Sequence, residues 1–227
     1  MEEGTMMRNM IIVSLNIGLP IKESFSGKEI ITGICKQSAT GPLQLGKLGF
    51  ENDGVGDLKH HGGLDKAVCV YSGDHYAYWE NLLGITLSEA AFGENLTVSG
   101  LHEDEVCIGD IYEAGSALLQ VSQPRQPCRT LAARYGRDDM IKLVRDSGFS
   151  GFYFRVLKAG SVMKGDFLEL NKRDDNLVTV AFANSIYHHR KTDGKGIERV
   201  LGVDALSTSW RKSFLELKRL ATKKSLF

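Results

Sequence analysis

The sequence has little of what marks a membrane, secreted or zinc-binding protein. Only four of its 227 residues are proline and four are cysteine, and no two cysteines form a CxxC pair. This spacing predicts neither a redox dithiol nor a structural zinc site. The sequence also has no apolar run of the roughly 18 residues needed to cross a bilayer, and no secretory signal at its start. We therefore expect a cytoplasmic protein with reduced thiols and no membrane partner.

Nucleotide-binding glycine motifs and an excess of charge of one sign are also missing. No GxGxxG follows a predicted strand and no GxxxxGK[ST] occurs, so a nucleotide-binding fold has no support. The 28 basic and 28 acidic residues balance. Residues 176–227 nevertheless carry 10 basic and 4 acidic residues, which predicts a boundary between domains over residues 1–175 and 176–227. We interpret the basic tail as a solvated helical face and do not expect it to bind nucleic acid, because it lacks RNA-binding and zinc-finger motifs.

Short strands separated by glycine-rich turns dominate the larger predicted domain. The sequence has 25 glycines, and glycine favours tight turns. Runs of β-branched and alternating apolar residues predict strands over residues 10–15, 29–35, 67–71, 94–98, 106–108, 111–114, 117–122, 151–158 and 166–171. Apolar residues at helical spacing predict helices over residues 74–83, 131–135 and 138–146. The pattern indicates a mainly β fold with some α-helix, built on a β-barrel core.

The C-terminal segment has a helical pattern instead. Apolar residues recur at helical intervals over residues 181–190, 196–201 and 208–222. The tetrapeptide STSW, residues 207–210, supplies serine and threonine side chains that favour a helix start. We predict a small three-helix bundle whose last helix turns its apolar stripe towards the barrel or a partner chain.

Cys128 differs from the other three cysteines in its surroundings. Cys35, Cys69 and Cys107 lie in or at the end of predicted strands, where a cysteine is most simply a buried small hydrophobe. Cys128 ends the stretch QPRQPC, in a polar turn just before a predicted helix. The helix N-terminus and the nearby Arg125 both favour a thiolate. The residues alone leave three roles open for Cys128, namely a reactive thiol, a metal ligand and a small turn residue.

A second candidate site is the segment KHHGG, residues 59–63. Lys59, His60 and His61 offer hydrogen-bond donors for an anion such as a phosphate. Gly62 and Gly63 let the backbone approach a ligand closely or adopt a positive φ. The alternative is a polar hairpin turn whose histidines cap strand ends. A zinc site is not favoured, because the two histidines lack the i,i+4 spacing of HExxH.

Two further stretches carry candidate polar residues. Lys36 lies at the end of a predicted strand, where a lysine is either solvated or bound to a phosphate. In FGENL, Glu94 is a candidate acid or base, and Asn95 is a candidate double hydrogen-bonding residue. A glycine turn that enters a strand is the simpler explanation of this second stretch.

Taken together, these stretches resemble the MOSC domain. The segments ICKQSATGPLQL, GDLKHHGGLDKAVCVYSGDHYAYW, AFGENLTVSGL and VCIGDIYEAGSALLQVSQPRQPC occur in the order and spacing of that family, in its bacterial YiiM-type branch. The resemblance covers roughly residues 10–170, and the C-terminal helices resemble the three-helix module of the same branch. Leu64 is one departure, because relatives commonly have proline after the two glycines. It affects a turn rather than a candidate ligand.

The resemblance implies a MOSC-type β-barrel, related to the pyruvate-kinase barrel, followed by a small C-terminal three-helix bundle. It also implies binding of molybdenum cofactor (molybdopterin), with Cys128 as the catalytic residue and the ligand of molybdenum. The related mitochondrial amidoxime-reducing components reduce N-hydroxylated compounds, and bacterial relatives detoxify base analogues such as 6-hydroxylaminopurine. We therefore expect a molybdenum-cofactor-dependent reductase of small N-hydroxylated substrates.

The cofactor bears a phosphate, which needs cations and backbone N–H groups to bind it. We expect the cofactor to be held by polar and glycine residues of the four stretches, namely Lys36, Lys59, His60, His61, Gly62, Gly63, Asn95 and Arg125. The sequence has no flavin or haem motif, so the electrons are expected from a separate reductase.

Two alternatives stay open. In the first, Cys128 carries a persulfide in sulfur transfer, or the domain binds pyridoxal phosphate, and no metal is bound. In the second, the barrel and the helices form a non-enzymatic binding module for a protein or a nucleic acid. The oligomeric state is open too, with a homodimer as one arrangement.

Overall fold

A curled sheet forms the body of the molecule, and the computed structural model describes residues 10–25, 27–57 and 61–224. The strands in this part of the chain are β1 (Ile11–Ile17), β2 (Ile21–Phe25), β3 (Lys28–Thr32), β4 (Gln37–Ser38), β5 (Leu43–Gly46), β6 (Gly49–Phe50), β7 (Val68–Ser72), β8 (Leu96–Ser99), β9 (Ile111–Ala114), β10 (Ala117–Pro124), β11 (Phe152–Lys158), β12 (Gly160–Val162) and β13 (Leu168–Lys172).

Eight of these strands form one mixed sheet that curls into a half-barrel, in the order β13-β9-β10-β11-β7-β8-β1-β4. Neighbouring strands in this sheet are antiparallel except β7 and β8, which pair in parallel. A three-stranded sheet of order β12-β5-β6 and the hairpin β2-β3 complete the β structure of the described residues. The expected MOSC-type β-barrel fold is thus confirmed as a curled half-barrel.

Helices flank the sheet and follow it. Within the described residues they are α1 (Tyr76–Leu83), α2 (Arg129–Tyr135), α3 (Met140–Ser147), α4 (Val180–His188), α5 (Gly194–Leu201) and α6 (Thr208–Lys224). The last three are the predicted C-terminal helices, and each begins within a few residues of its predicted start. A search of the described helices found none with the length and apolar character to cross a membrane.

One apolar cluster runs from the barrel into the C-terminal helices. Ile12, Val68 and Phe154 of the sheet share it with Trp210 and Phe214 of α6, all of them 3% exposed or less. The apolar stripe of the last helix therefore packs against the barrel, which is one of the two predicted arrangements. Full burial of one such side chain stabilises the folded protein by about 2 kcal/mol relative to its exposure. The helices and the barrel therefore stabilise each other.

A second apolar cluster lies under the helices that interrupt the sheet. Tyr71 at the end of β7 stacks on Phe92, with ring centroids 4.0 Å apart, and both pack with Trp79 of α1. Leu131 of α2 and Met140 of α3 join the same cluster. This cluster fixes the segment that holds Cys128 against the segment that holds FGENL.

The predicted strands and helices are mostly confirmed, with two corrections. Residues 106–108 were predicted as a strand, but Cys107 makes only a single bridge, to Thr179, with turns on both sides. The Asp110 carboxylate accepts a hydrogen bond from the Cys107 N–H at 2.8 Å, so this N–H stabilises a turn and is not used in strand pairing. The predicted strand over 29–35 ends at Thr32, because the Thr32 hydroxyl accepts the Ile34 N–H at 3.1 Å and bends the chain towards Lys36.

All four cysteines are free thiols, and all four lie in the described part of the chain. Cys69 and Cys107 are buried, as expected of small hydrophobes, whereas Cys35 and Cys128 are partly exposed. The prediction that a helix begins at STSW is also confirmed. Ser207 precedes the first residue of α6, and its hydroxyl accepts the Trp210 N–H at 3.2 Å.

Candidate functional site

A cavity of about 330 Å³ lies where the loops after β3 and β6 meet the turn between β10 and α2. Its wall contains most of the residues predicted for the site, namely Lys36, His61, Gly62, Gly63, Asn95, Arg125 and Cys128. All four of the sequence stretches that carry predicted site residues are thus brought to one place. Lys59 and His60 lie outside the described residues.

Cys128 stands directly before α2, in extended backbone with φ −115° and ψ 167°. Burial alone raises the pKa of its thiol. A hydrogen bond from His61, the positive charge of Arg125 and the backbone amide of Leu131 outweigh that effect and lower the pKa to about 6. The thiol is therefore mostly a thiolate at neutral pH, as the sequence pattern around it favours.

His61 reaches Cys128 from a short loop that contains the two glycines. The His61 N–H donates to the Asp57 carbonyl oxygen at 3.0 Å, and the Lys66 N–H donates to the Gly63 carbonyl oxygen at 2.9 Å. Gly63 has φ 102°, a conformation that side-chain-bearing residues rarely adopt. This explains a glycine at that position. The loop ends in a 3₁₀ turn, Leu64–Lys66, where Leu64 is 60% exposed.

Arg125 is a buried cation in the cavity wall, only 5% exposed. Its Nη2 donates to the Phe92 carbonyl oxygen at 2.7 Å, and Nη1 reaches the Ser150 carbonyl oxygen at 3.5 Å. Its backbone N–H donates to the Gly151 carbonyl oxygen at 3.0 Å. These carbonyl groups fix the guanidinium beside the Cys128 thiol, so its positive charge is held in one place.

Lys36 and Asn95 meet at a shared carboxylate that the sequence gives no reason to single out. The Lys36 ammonium pairs with Asp53 Oδ1, and the two side chains are 4% and 10% exposed. Asn95 Nδ2 donates to Asp53 Oδ2 at 2.7 Å and to the Asn16 carbonyl oxygen at 3.2 Å. Asn95 Oδ1 accepts the Cys69 N–H at 3.0 Å. The Asn95 amide therefore ties three segments of the wall together, and the charge of Lys36 is balanced by Asp53.

Glu94, the candidate acid or base, is fully buried and has a structural role. Its Oε1 accepts hydrogen bonds from the Tyr76 and Thr97 hydroxyls, and its Oε2 accepts the Phe92 N–H at 2.9 Å. These bonds hold the FGENL turn, whose Gly93 has φ 77°. The simpler explanation of this stretch, a glycine turn that enters a strand, therefore agrees with the contacts of Glu94.

Cys69 and Tyr153 also line the cavity, and the sequence analysis did not place them there. Tyr153 of β11 pairs with Cys69 of β7 in antiparallel register, so both side chains point to the same face of the sheet. Burial raises the pKa of Cys69 to about 11, against the lowering effect of Arg125. The two thiols of the cavity therefore differ sharply in acidity. Alternation along β11 could have assigned Tyr153 to one face, but the register with β7 cannot be read from either strand alone.

Among the described residues, Cys128 supplies the one ionised thiol of this site, and a thiolate is a soft metal ligand. Among them, no group of three or more His, Cys, Asp and Glu side chains has a geometry that could hold a metal ion. The cavity combines one acidic thiol, one fixed guanidinium and a glycine loop. This arrangement can bind an anion and can present a thiolate to a soft metal or an electrophile.

Comparison with known proteins finds relatives that cover most of the chain. The MOSC domain model matches residues 57–169, and the model of the YiiM-like, 3-alpha helix domain matches residues 178–222. The protein YflK of Bacillus subtilis is 50% identical over 207 residues, which are 91% of this chain and 94% of that protein. The crystal structure of YiiM from Geobacillus stearothermophilus has 40% sequence identity and a TM-score of 0.80, with 92% of this chain and 99% of that chain covered. A Gibberella moniliformis protein named Reductase is 40% identical over 160 residues, which are 67% of this chain and 28% of its own length.

Proposed function

The chain belongs to the MOSC family, in its YiiM-type branch, and from that premise we propose that it is a molybdenum-cofactor-binding reductase of small N-hydroxylated compounds such as 6-hydroxylaminopurine. The observation that carries the proposal is the acidic Cys128 thiol in the cavity wall, with His61 and Arg125 acting on it. The physiological role that we propose is detoxification of base analogues.

The donor chemistry of Cys128 fits a molybdenum centre. A thiolate is a soft ligand, and a thiol must lose its proton before it binds a metal. With a pKa of about 6, the Cys128 thiol is already mostly ionised at pH 7. The cavity volume of about 330 Å³ also lies within the range of roughly 300 to 1,000 Å³ that is typical of small-molecule and cofactor sites.

The predicted site residues that line the cavity then have defined tasks. The cofactor, when bound, supplies the two-electron chemistry that converts R–NH–OH, two electrons and two protons into R–NH2 and water. Cys128 would hold the metal, and His61 would keep the sulfur oriented and deprotonated. Arg125 offers a fixed positive charge to the cofactor phosphate or to the substrate. Gly62 and Gly63 would bring backbone N–H groups close to the phosphate.

Lys36 and Asn95 act less directly in this proposal. Lys36 is balanced by Asp53, and the Asn95 amide holds that carboxylate in place. Both residues therefore shape the wall against which the cofactor packs, and the remaining ammonium donors of Lys36 are available to a phosphate. Lys59 and His60 stay predicted phosphate ligands.

We propose that the electrons come from a separate reductase protein. The Gibberella moniliformis relative supports a redox role, because it is named Reductase and this chain matches 28% of its length. Residues 176–227 carry 10 basic and 4 acidic residues, and this excess of positive charge suits an acidic partner.

The direct test is reduction of an N-hydroxylated base by cofactor-loaded protein. The protein is produced in a host that makes molybdenum cofactor, and 6-hydroxylaminopurine is supplied with a reduced viologen as electron donor. We expect conversion to the amine, and a loss of at least 100-fold in kcat/KM in Cys128→Ser, since the metal loses its protein ligand. Cys35→Ser is the matched control, because Cys35 is a half-buried thiol that does not belong to the cavity wall.

Failure of the loaded protein to reduce 6-hydroxylaminopurine and other N-hydroxylated compounds would overturn the proposed function. Equal activity of wild type and Cys128→Ser would overturn the role of Cys128 alone.

A second candidate function rests on the same thiolate. The charges that keep Cys128 ionised for a metal also make it a nucleophile, which suits a persulfide carrier in sulfur transfer. Mass spectrometry of the intact protein separates the two functions. A labile addition of one sulfur atom at Cys128 in metal-free protein supports the carrier, and its absence from freshly purified, metal-loaded protein supports the reductase.

A further inference from the structure

The start of α6 contacts the barrel next to the cavity. The Ser207 N–H donates to the Ser122 carbonyl oxygen at 2.9 Å, and the Ser209 hydroxyl donates to Gln123 Oε1 at 3.0 Å. Ser122 and Gln123 belong to β10, just before the turn that carries Arg125 and Cys128. The tetrapeptide STSW therefore does more than begin a helix.

Thr208 connects the helix to the other side of the cavity. Its backbone N–H donates to Asp65 Oδ2 at 3.0 Å, across 143 positions of sequence. The other carboxylate oxygen, Oδ1, accepts from Arg155, with Nη2 at 2.8 Å and Nε at 3.1 Å. Asp65 is thus held from two directions, by the first turn of α6 and by β11.

Asp65 is part of the loop that carries His61. It lies in the 3₁₀ turn Leu64–Lys66, which follows His61 and the two glycines directly. The Ser122 hydroxyl donates to the Asp65 carbonyl oxygen and so fixes the backbone of the same turn. Gly63 of the same loop has φ 102°, a conformation that favours glycine, and the contacts of Asp65 fix the C-terminal end of the loop.

The C-terminal helices also contact the Arg125 side of the cavity. Asn184 of α4 is buried, and its Nδ2 donates to the Ser150 hydroxyl at 2.7 Å. The carbonyl oxygen of the same Ser150 accepts from Arg125 Nη1 at 3.5 Å. The two side chains that lower the pKa of Cys128 are therefore both linked to the helical segment, Arg125 through hydrogen bonds at Ser150 and His61 through the loop that contains Asp65.

We propose that Asp65 is a positioning residue of the site, through which the first turn of α6 fixes the loop that carries His61 and so maintains the hydrogen bond between His61 and Cys128. The C-terminal helices then help to position the site, and STSW is the segment through which they contact it. The inference concerns the cofactor-free chain and does not depend on which reaction the cavity supports.

The sharpest variant is Thr208→Pro. Thr208 is the first residue of α6, where proline fits the helix, so the substitution removes the N–H that Asp65 accepts and leaves the helix start intact. Thr208→Ala is the matched control, because it keeps that N–H and removes only an exposed side chain. Asp65→Ala removes the acceptor, and Asp65→Asn retains an oxygen that can accept the same bond.

Two measurements on the cofactor-free protein test the proposal. Hydrogen exchange followed by mass spectrometry reports the loop over residues 61–66, and the ultraviolet thiolate band at pH 7, with Cys128→Ser as the blank, reports the state of Cys128. In Thr208→Pro and Asp65→Ala we expect exchange of the loop to be at least several-fold faster and the Cys128 thiolate band to be about two- to fivefold smaller. Thr208→Ala is expected to match wild type, and Asp65→Asn to recover most of the band.

The melting temperature and the fluorescence of the two buried tryptophans, Trp79 and Trp210, check that each variant is folded. If Asp65→Ala does not fold, because Arg155 has lost its carboxylate partner, the result for Thr208→Pro alone decides the test. Folded Thr208→Pro with loop exchange and a thiolate band equal to those of Thr208→Ala would overturn the proposal. A faster loop with an unchanged thiolate band would reduce Asp65 to a structural residue, and would overturn it equally.

Discussion

Arg125 Nη2 donates a hydrogen bond of 2.7 Å to the carbonyl oxygen of Phe92, and this bond joins two sequence motifs that lie 33 positions apart. Phe92 begins FGENL, and Arg125 belongs to the turn that ends in Cys128. The FGENL turn thus holds the cation that, after the hydrogen bond from His61, lowers the pKa of the Cys128 thiol. Within the site this turn holds Arg125 in place, and the buried Glu94 carboxylate accepts three hydrogen bonds that hold the turn itself.

Arg125→Lys is expected to destabilise the protein although the charge is conserved. A lysine ammonium on a shorter reach cannot retain both the Phe92 and the Ser150 carbonyl oxygen, so a buried acceptor is left without a donor. We expect the free energy of unfolding in urea to fall by about 2 kcal/mol. Arg129→Lys, at an exposed neighbouring position, is the control and should change it by less than about 0.5 kcal/mol. Equal stability of the two variants would contradict this role of Arg125.

The two thiols that line the cavity should react very differently with iodoacetamide. The pKa of Cys128 is lowered to about 6 and that of Cys69 is raised to about 11, so at pH 7.5 Cys128 is almost fully ionised and Cys69 almost fully protonated. Peptide mapping by mass spectrometry should find Cys128 labelled at least 100-fold faster. His61→Gln should slow the labelling of Cys128 at pH 6.5 and leave Cys69 unchanged. Preferential labelling of Cys69 would show that the acidity of the two thiols has been misassigned.

Removal of Lys36 alone from the buried Lys36–Asp53 ion pair should lower the free energy of unfolding. Lys36→Met leaves the Asp53 carboxylate buried without its cation, and we expect a loss of about 3 kcal/mol in the free energy of unfolding. The double variant Lys36→Met with Asp53→Asn removes the charge as well and should recover at least half of that loss. If the single and double variants unfold at the same urea concentration, the pair does not behave as a buried ion pair.

Stability should fall in mild acid because of His188. Burial, followed by the nearby Arg145, His189 and Lys191 charges, lowers the pKa of His188 from 6.5 to about 4. The unfolded chain then binds a proton that the folded chain does not bind between these two values. The stability that His188 contributes is therefore complete above pH 6.5 and is lost as the pH falls towards 4.

His188→Gln is the variant that measures this effect. Between pH 6.5 and 4.5 its free energy of unfolding should fall by about 1 kcal/mol less than that of wild type, a value that allows for solvent screening of a half-buried ring. His189→Gln, at the exposed neighbouring position, is the control. Parallel loss of stability in all three proteins would assign the acid sensitivity to other groups.

The sequence predicts the members of the cavity wall better than it predicts their contacts. Lys36, His61, Asn95, Arg125 and Cys128 were all singled out from local motifs, and the structure brings all of them to one cavity. Part of the acidity of Cys128 could be anticipated, because Arg125 and the helix start lie next to it in sequence, whereas the hydrogen bond from the distant His61 depends on the fold.

The partners of these residues could not be predicted, because they are set by tertiary structure. Asp53 lies in a glycine-rich loop with no local feature that marks it as the acceptor of Lys36. The bond from Thr208 to Asp65 spans 143 positions and depends on how the last helix packs on the barrel. Strand β2 was also missed, because the segment IKESF is polar at its centre, is largely exposed and buries little apolar surface.

The molybdenum content of protein purified from a cofactor-producing host is the most direct test of the central claim, that Cys128 anchors a molybdenum cofactor. Metal analysis and assay of released pterin on wild type, Cys128→Ser and Cys35→Ser suffice. We predict about one molybdenum and one pterin per chain in wild type and Cys35→Ser, and loss of nearly all molybdenum in Cys128→Ser, because a serine hydroxyl is a harder and far less acidic donor than the Cys128 thiol. Molybdenum that stays at the wild-type level in Cys128→Ser would contradict the account.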